Sequence, residues 1–193
     1  MCEKTARMDR WRSDWVTGRP TLIYKTKNNY MKEAAKVIIR SPLPGEYGWI
    51  IKIHGEYYAD KFGWDEEFEC IVAKIMVDFI SKIPSIEQAC FIAELNNKPV
   101  GCVILMKKSE GEGQVRVLFV LEEARGKRVG SSLIDALLIK AQEIGYKSLN
   151  LWTTNNQVEA RDLYKKTGFS CISVTPNTTF AKGSYDEEWK MTI

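Results

Sequence analysis

Val115 to Ser132 reads V-R-V-L-F-V-L-E-E-A-R-G-K-R-V-G-S-S. Val115, Val117, Phe119 and Leu121 alternate with Arg116, Leu118 and Val120, so the later half of the run is apolar on both faces, as a buried central strand requires. Beyond it, Val129, Leu133, Ile134, Leu137, Leu138, Ala141 and Ile144 recur at helical spacing, and Gly145 supplies a stop. The connection carries Arg125, Gly126, Lys127, Arg128 and Gly130. A glycine-bearing turn that opens a helix presents backbone N–H groups and the positive end of the helix dipole, so the segment reads as a phosphate cradle able to take a pyrophosphate. It is not a Walker loop: Gly126 and Gly130 enclose three residues instead of four, and Ser131 stands where a lysine is needed. No G-x-G-x-x-G occurs. An ordinary strand-to-helix connection on a basic surface is the competing reading of the loop taken alone.

Working outward, Lys36 to Ser41 reads as a first strand, and Pro42-Leu43-Pro44-Gly45 as the turn into a helix carrying Tyr47, Ile50, His54, Tyr57, Tyr58 and Phe62 on one face. Asp65 is placed to cap a second helix with Phe68, Ile71, Val72, Ile75, Met76, Phe79 and Ile80. Ala89 to Leu95 and Val100 to Met106 form a hairpin through Asn96-Asn97, residues that tolerate left-handed backbone. After the opening motif come a strand at Leu149 to Thr154, a helix from Gln157 to Thr167 ended by Gly168, and strands at Phe169 to Val174 and Glu188 to Ile193. The predicted order is β-α-α-β-β-β-α-β-α-β-β, an α/β (α+β) fold on a mixed sheet.

Two motifs in this order resemble those of the GNAT family of N-acetyltransferases. One is Arg or Gln, two residues, Gly, one residue, then Gly or Ala after an apolar strand; Arg125 and Gly130 match its ends, Gly126 a common intervening residue, and Arg128 stands where the family usually has Gly. The other is A-x-x-L-Y-x-x-x-G-F, matched by Ala160, Leu163, Tyr164, Gly168 and Phe169. The resemblance implies the GNAT fold with its fourth and fifth strands splayed, and acetyl-coenzyme A as cosubstrate without a metal. The pyrophosphate is expected on Arg125, Gly126, Lys127, Arg128, Val129, Gly130 and Ser131, with the Arg128 side chain turned outward as an added cation. Pantetheine is expected to run along Leu118, Phe119 and Val120, bonding the backbone of the latter two. The family's coenzyme-binding Asn falls at Gln157, so that contact is made there or shifts to Asn155 or Asn156.

Acetyl transfer to an amine needs a proton donor for the thiolate and an acceptor for the amine proton, because a free alkylamine has a pKa of about 10. The resemblance assigns the donor to Tyr164. Glu94, near the end of a central strand, is the first candidate base and Glu122 the second. His54, on the helix expected to wall the acceptor site, is a candidate substrate or proton-relay group, and Tyr58 and Trp64 are expected to line the pocket; core packing is the competing reading of all three.

A narrower resemblance lies in Pro44-Gly45-Glu46-Tyr47-Gly48-Trp49, His54-Gly55, Gly63-Trp64-Asp65-Glu66 and Pro99-Val100-Gly101-Cys102, which are similar to the acetyltransferase half of bacterial proteins that fuse a MarR-type winged-helix regulator to this enzyme. That regulator needs roughly 130 residues and does not fit into residues 1 to 35, so it is expected to be absent.

The 193 residues, 45% hydrophobic, suffice for one substantial core. Residues 1–35 are read as a basic extension and 36–193 as the catalytic domain: the first 36 residues carry nine Lys or Arg against four Asp or Glu. Trp11 and Trp15 among Arg7, Arg10 and Arg12 are better read as packing on the domain or a second subunit than as a nucleic-acid site, since no binding motif accompanies them. Five cysteines without C-x-x-C spacing and a single histidine exclude an obvious zinc site, and are read as reduced, buried thiols of a cytoplasmic protein. No apolar run reaches the roughly 18 residues of a membrane span. The expected function is acetyl transfer to an amine of a small molecule or peptide, with a homodimer as a possible assembly. The alternative is a coenzyme A-binding regulatory module with little turnover.

Overall fold

The computed structural model describes residues 36–193. The readings made on residues 1–35, the tryptophan-arginine cluster and Cys2 included, lie outside the described residues. The element order is β1 (Ile38–Arg40), α1 (Glu46–Phe62), α2 (Glu66–Ser81), β2 (Ala89–Leu95), β3 (Lys98–Ser109), β4 (Glu112–Val120), a 3-10 turn (Glu122–Ala124), α3 (Val129–Ile144), β5 (Ser148–Thr154), α4 (Val158–Lys166), β6 (Ser170–Pro176) and β7 (Tyr185–Thr192). This is the predicted order, and the strands form one seven-stranded sheet, β1-β2-β3-β4-β5-β7-β6.

Local chemistry accounts for the boundaries. Asp65 caps α2, its Oδ1 accepting the Glu67 N–H at 3.1 Å. Asn96 and Asn97 both adopt positive φ, 53° and 60°, the geometry of a two-residue hairpin turn whose twist suits the flanking strands. Where the sequence reading began the last strand at Glu188, β7 starts at Tyr185 and takes Asp186 and Glu187 into the ladder with β5. Glu187 is buried there because its carboxylate accepts from Arg161 Nε and Trp189 Nε1, both at 2.9 Å, so a charge that reads as loop is neutralised inside the sheet.

Helices cover both faces. On one, Leu133, Ile134, Leu137 and Ala141 of α3 pack with Val103, Leu105 and Val115, joined by Tyr164 of α4 and Trp189. On the other, Ile50 and Ile53 of α1 and Val72, Met76 and Phe79 of α2 pack on Ile92, Cys102 and Ile104. The centre of β3, Val100 to Met106, is therefore buried on both sides. Gly101 permits close approach of its neighbour: a Cβ there would lie 2.8 Å from the Phe119 carbonyl oxygen. The thiols depart from expectation, since Cys90 and Cys102 are buried but Cys70 and Cys171 are exposed. Among the described residues no disulfide forms, no group of His, Cys, Asp and Glu is arranged to hold a metal ion, and no helix is long and apolar enough to cross a membrane.

Candidate active site between the parted strands

Strands β4 and β5 run parallel and pair only from Glu112↔Ser148 to Val115↔Leu151. Beyond Val115, β4 stays with β3 while Trp152 to Thr154 continue with β7, and a wedge opens between them. A bulge marks the parting: between the pairs Cys102↔Phe119 and Ile104↔Arg116 one residue of β3 faces two of β4, and Val117 takes φ 45°, rare for a β-branched residue.

On one side of the wedge lies a groove of about 430 Å³, lined by Leu118, Phe119, Val120, Arg125, Gly126, Arg128, Val129, Gly130, Ser131 and Gln157, with Tyr57, Tyr58, Phe62, Glu159, Ala160 and Leu163. The N–H groups of Gly126 through Ser131 have no acceptor of good hydrogen-bond geometry among the described residues, and the first bond of α3 is Ser132 N–H to the Arg128 carbonyl at 2.9 Å. Six consecutive donors at a helix start, beside Arg125 and Arg128, form an anion cradle. Gly126 takes a φ of 72°, which favours glycine, and at Gly130 an added Cβ would press on Leu163 Cδ2 at 3.0 Å. Arg128, where glycine is usual, is held at φ 63°, and its side chain is exposed. Arg125 is braced: its guanidinium lies 5.0 Å from the Tyr57 ring centroid, its Nε donates to the Val120 carbonyl at 3.2 Å, and Nη1 meets Glu122 at 3.4 Å.

Backbone direction corrects one expectation. Leu121 N–H donates to the Val100 carbonyl of β3 at 2.8 Å, so alternation along an antiparallel ladder turns Val120 to the open edge and Phe119 back toward β3. Phe119 lines the groove without a free backbone edge. Asn156 does not line the groove, and Lys127 contributes only its backbone N–H, since its side chain turns away and Nζ donates to the Glu123 carbonyl at 2.8 Å. Asn155 is also committed elsewhere, its Oδ1 accepting the Tyr185 N–H at 2.9 Å.

On the other side lies a cavity of about 260 Å³ whose lining includes His54, Tyr58, Trp64, Phe68, Arg116, Val117, Trp152, Thr153, Thr154, Tyr164, Phe180 and Asp186. Tyr58, Leu118 and Gln157 belong to both spaces. The Tyr58 hydroxyl donates to Gln157 Oε1 at 3.1 Å, which joins α1 to the start of α4 across the divide, and the Tyr58 ring stacks on Trp64 at 4.7 Å. Tyr164 is buried, its hydroxyl has no partner among the described residues, and desolvation pushes its pKa well above the ordinary tyrosine range. His54 Nδ1 donates to the Ile50 carbonyl at 2.8 Å, which leaves Nε2 with the lone pair, and burial lowers the pKa to about 4, so the ring is neutral at pH 7.

The structure does not bring Glu94 to either space. Its Oε2 is held by Arg40 Nε at 2.7 Å, and Arg40 also grips Glu46 at 2.7 Å, an ion-pair lock between β1, β2 and α1. Glu122 is exposed and pairs with Arg125 and with Lys61 at 3.5 Å. The carboxylate that does line the cavity, Asp186, was not singled out in the sequence, because it lies before the strand predicted to begin at Glu188.

A model of the acetyltransferase (GNAT) family matches residues 47–169. The chain belongs to this family. A relative named "Probable N-acetyltransferase camello", from Xenopus laevis, is 28% identical over 137 residues, which are 68% of this chain and 58% of that protein. The chain thus spans less than two thirds of the length of that curated relative. A GNAT acetyltransferase of Streptococcus pneumoniae has the same fold, with TM-score 0.67 at 17% identity over 82% of this chain and 99% of the other. A Bacillus anthracis protein described as a streptothricin acetyltransferase, solved with acetyl coenzyme A, matches at TM-score 0.55 and 24% identity over 60% of this chain and 68% of its own. Against this GNAT background, Arg116, Thr153 and Thr154 are further wall residues that sequence reading passed over. Arg116 carried a signal, a lone charge inside an apolar strand.

Proposed function

We propose that the chain is an acetyl-coenzyme A-dependent N-acetyltransferase that acts on an amine drawn into the cavity beside Tyr164. The observation that carries this reading is the cradle of six backbone N–H groups, unpaired among the described residues and flanked by Arg125 and Arg128, opening onto the part of β4 that has left β5. In this reading the N–H groups from Gly126 to Ser131 and the two arginines hold the phosphates of the cosubstrate. Leu118 and the N–H of Val120, whose carbonyl Arg125 Nε already holds, offer a backbone edge to pantetheine as a strand would. Acetyl-coenzyme A would supply a thioester whose carbonyl carbon bonds to the amine nitrogen as the C–S bond breaks.

The chain's own groups manage the protons. Tyr164, kept protonated by burial, gives its proton to the departing sulfur. Asp186 takes the part first assigned to Glu94: its negative charge attracts the ammonium form of the acceptor and it receives the proton shed by the amine. His54, neutral and anchored to Ile50, shapes the wall and carries no charge. Within the family, we further propose kinship with the acetyltransferase half of the MarR-type fusions, on the residue runs from Pro44 to Cys102 quoted above.

Calorimetric titration of acetyl-coenzyme A and coenzyme A into the wild-type protein, followed by a thiol-release screen over amines, tests the reading. Micromolar binding with amine-dependent thiol release is expected. Binding without release from any amine would favour the regulatory-module alternative, and absence of binding would end both.

A further inference from the structure

Arg116 stands on β4 one residue past its last pairing with β5 and lines the acceptor-side cavity, not the phosphate groove. It is largely withdrawn from water and desolvation lowers its pKa, yet its side chain has no ion pair or hydrogen bond among the described residues. The other described arginines that are not exposed each hold a carboxylate: Arg40 holds Glu46 and Glu94, Arg125 meets Glu122, and Arg161 holds Glu187. A desolvated cation without a counter-charge costs stability, so a ligand that brings the counter-charge is the economical explanation for its retention. Thr153 and Thr154, in the same wall, are 6% and 3% exposed, and neither hydroxyl has a hydrogen-bond partner among the described residues. Asp186 lines this cavity too, with Oδ1 accepting from Asn177 at 2.8 Å, and it forms no ion pair with Arg116.

We infer that the acceptor is an amine that also carries a carboxylate, of the amino-acid class, with the carboxylate on Arg116 and the ammonium drawn toward Asp186. This rests on the transferase reading above. A cation and an anion that share a cavity without pairing suit a dipolar ligand, whereas a polyamine would set like charge against Arg116. A guanidinium also matches the two oxygens of a carboxylate as a fork, which an ammonium does not.

The test is a thiol-release panel of L-amino acids, their amides and the corresponding decarboxylated amines, run on wild type, Arg116→Gln and Arg116→Lys. The expected result is a preference for acids over amides of about tenfold to a hundredfold in kcat/KM, the range of a hydrogen bond to a charged group. Arg116→Gln should erase that preference through KM, and Arg116→Lys should keep part of it. Thermal midpoints serve as the structural control: relieving an unpaired desolvated charge should leave Arg116→Gln as stable as wild type or more so. Amides or plain amines used as well as acids, no acid used at all, or an acid KM unmoved by Arg116→Gln would each overturn the inference. Failure of wild type to bind acetyl-coenzyme A is a separate result that defeats the transferase reading itself.

Discussion

The two spaces that meet at Tyr58 are built by opposite strategies. The groove takes its polarity from one unbroken run of chain, Arg125 to Ser131, and works through backbone N–H groups whose direction follows from a turn and a helix start. The cavity takes its lining from α1, α2, β4, β5, α4, β7 and the loop before it, and works through side chains: stacked aromatic rings, Arg116, Asp186 and the Tyr164 hydroxyl. A backbone site asks for the right φ at a few positions and tolerates changes elsewhere. A side-chain site depends on every element arriving in register.

Substitutions that strike each space alone sharpen this contrast. The largest effect is expected from Tyr164→Phe, which keeps the ring in the core and removes the proposed proton donor: kcat for thiol release should fall about a hundredfold or more while acetyl-coenzyme A affinity, measured by calorimetry, stays put. An equal loss in both would mean that Tyr164 serves the groove.

His54 belongs to the cavity wall and gives the fold a pH dependence of its own. Its folded-state pKa of about 4 lies below the ordinary value of about 6.5, so between these values the unfolded chain binds a proton that the folded chain refuses. The contribution is fully present above about pH 6.5 and is lost as pH falls toward 4, on the order of 3 kcal/mol in total. Urea unfolding of wild type and His54→Gln at pH 7.5, 5.5 and 4.5 checks this: the variant should lose distinctly less stability on acidification, and parallel losses would contradict the assignment.

Arg125→Ala addresses the groove. It removes a cation together with the brace to Val120 and Tyr57, and acetyl-coenzyme A affinity should weaken about tenfold to a hundredfold, with a shallower dependence on salt. The smallest effect is expected from Arg128→Gly. At φ 63° a glycine relieves a left-handed penalty of about 1 kcal/mol or more, partly offset by the freedom that glycine adds to the unfolded chain, so the thermal midpoint should rise by roughly 1 to 3 °C. Affinity should fall a few-fold with the lost cation. Opposite signs in the two readouts would separate what Arg128 costs the fold from what it brings the groove.

The groove was legible in the sequence because its residues are contiguous, and a strand, a turn and a helix start are local events. Even so, Phe119 was assigned an open backbone edge that belongs to Val120, since ladder alternation depends on the partner strand. The Lys127 side chain reads as a cradle cation in one dimension but folds back onto Glu123 in three, leaving only its N–H in the run. Glu94 was a reasonable carboxylate at a strand end until Arg40, 54 residues away, claimed it. Asp186 was hidden because a strand of three acids looks like solvent-facing loop, and only Arg161 and Trp189 reveal how Glu187 is accommodated inside.

Periodicity, turn residues and caps act over a few residues, so the sequence alone determined the order of elements, the hairpin at Asn96-Asn97, the caps at Asp65 and Gly145, and the phosphate-type loop. The parting of β4 from β5 past Val115, the Tyr58–Gln157 link across it, and the placing of Arg116 on the same cavity as Asp186 were decided by tertiary structure. Each joins residues far apart in the chain, and the partner of a charged or polar side chain is set by which elements pack together, a relation that no local pattern encodes.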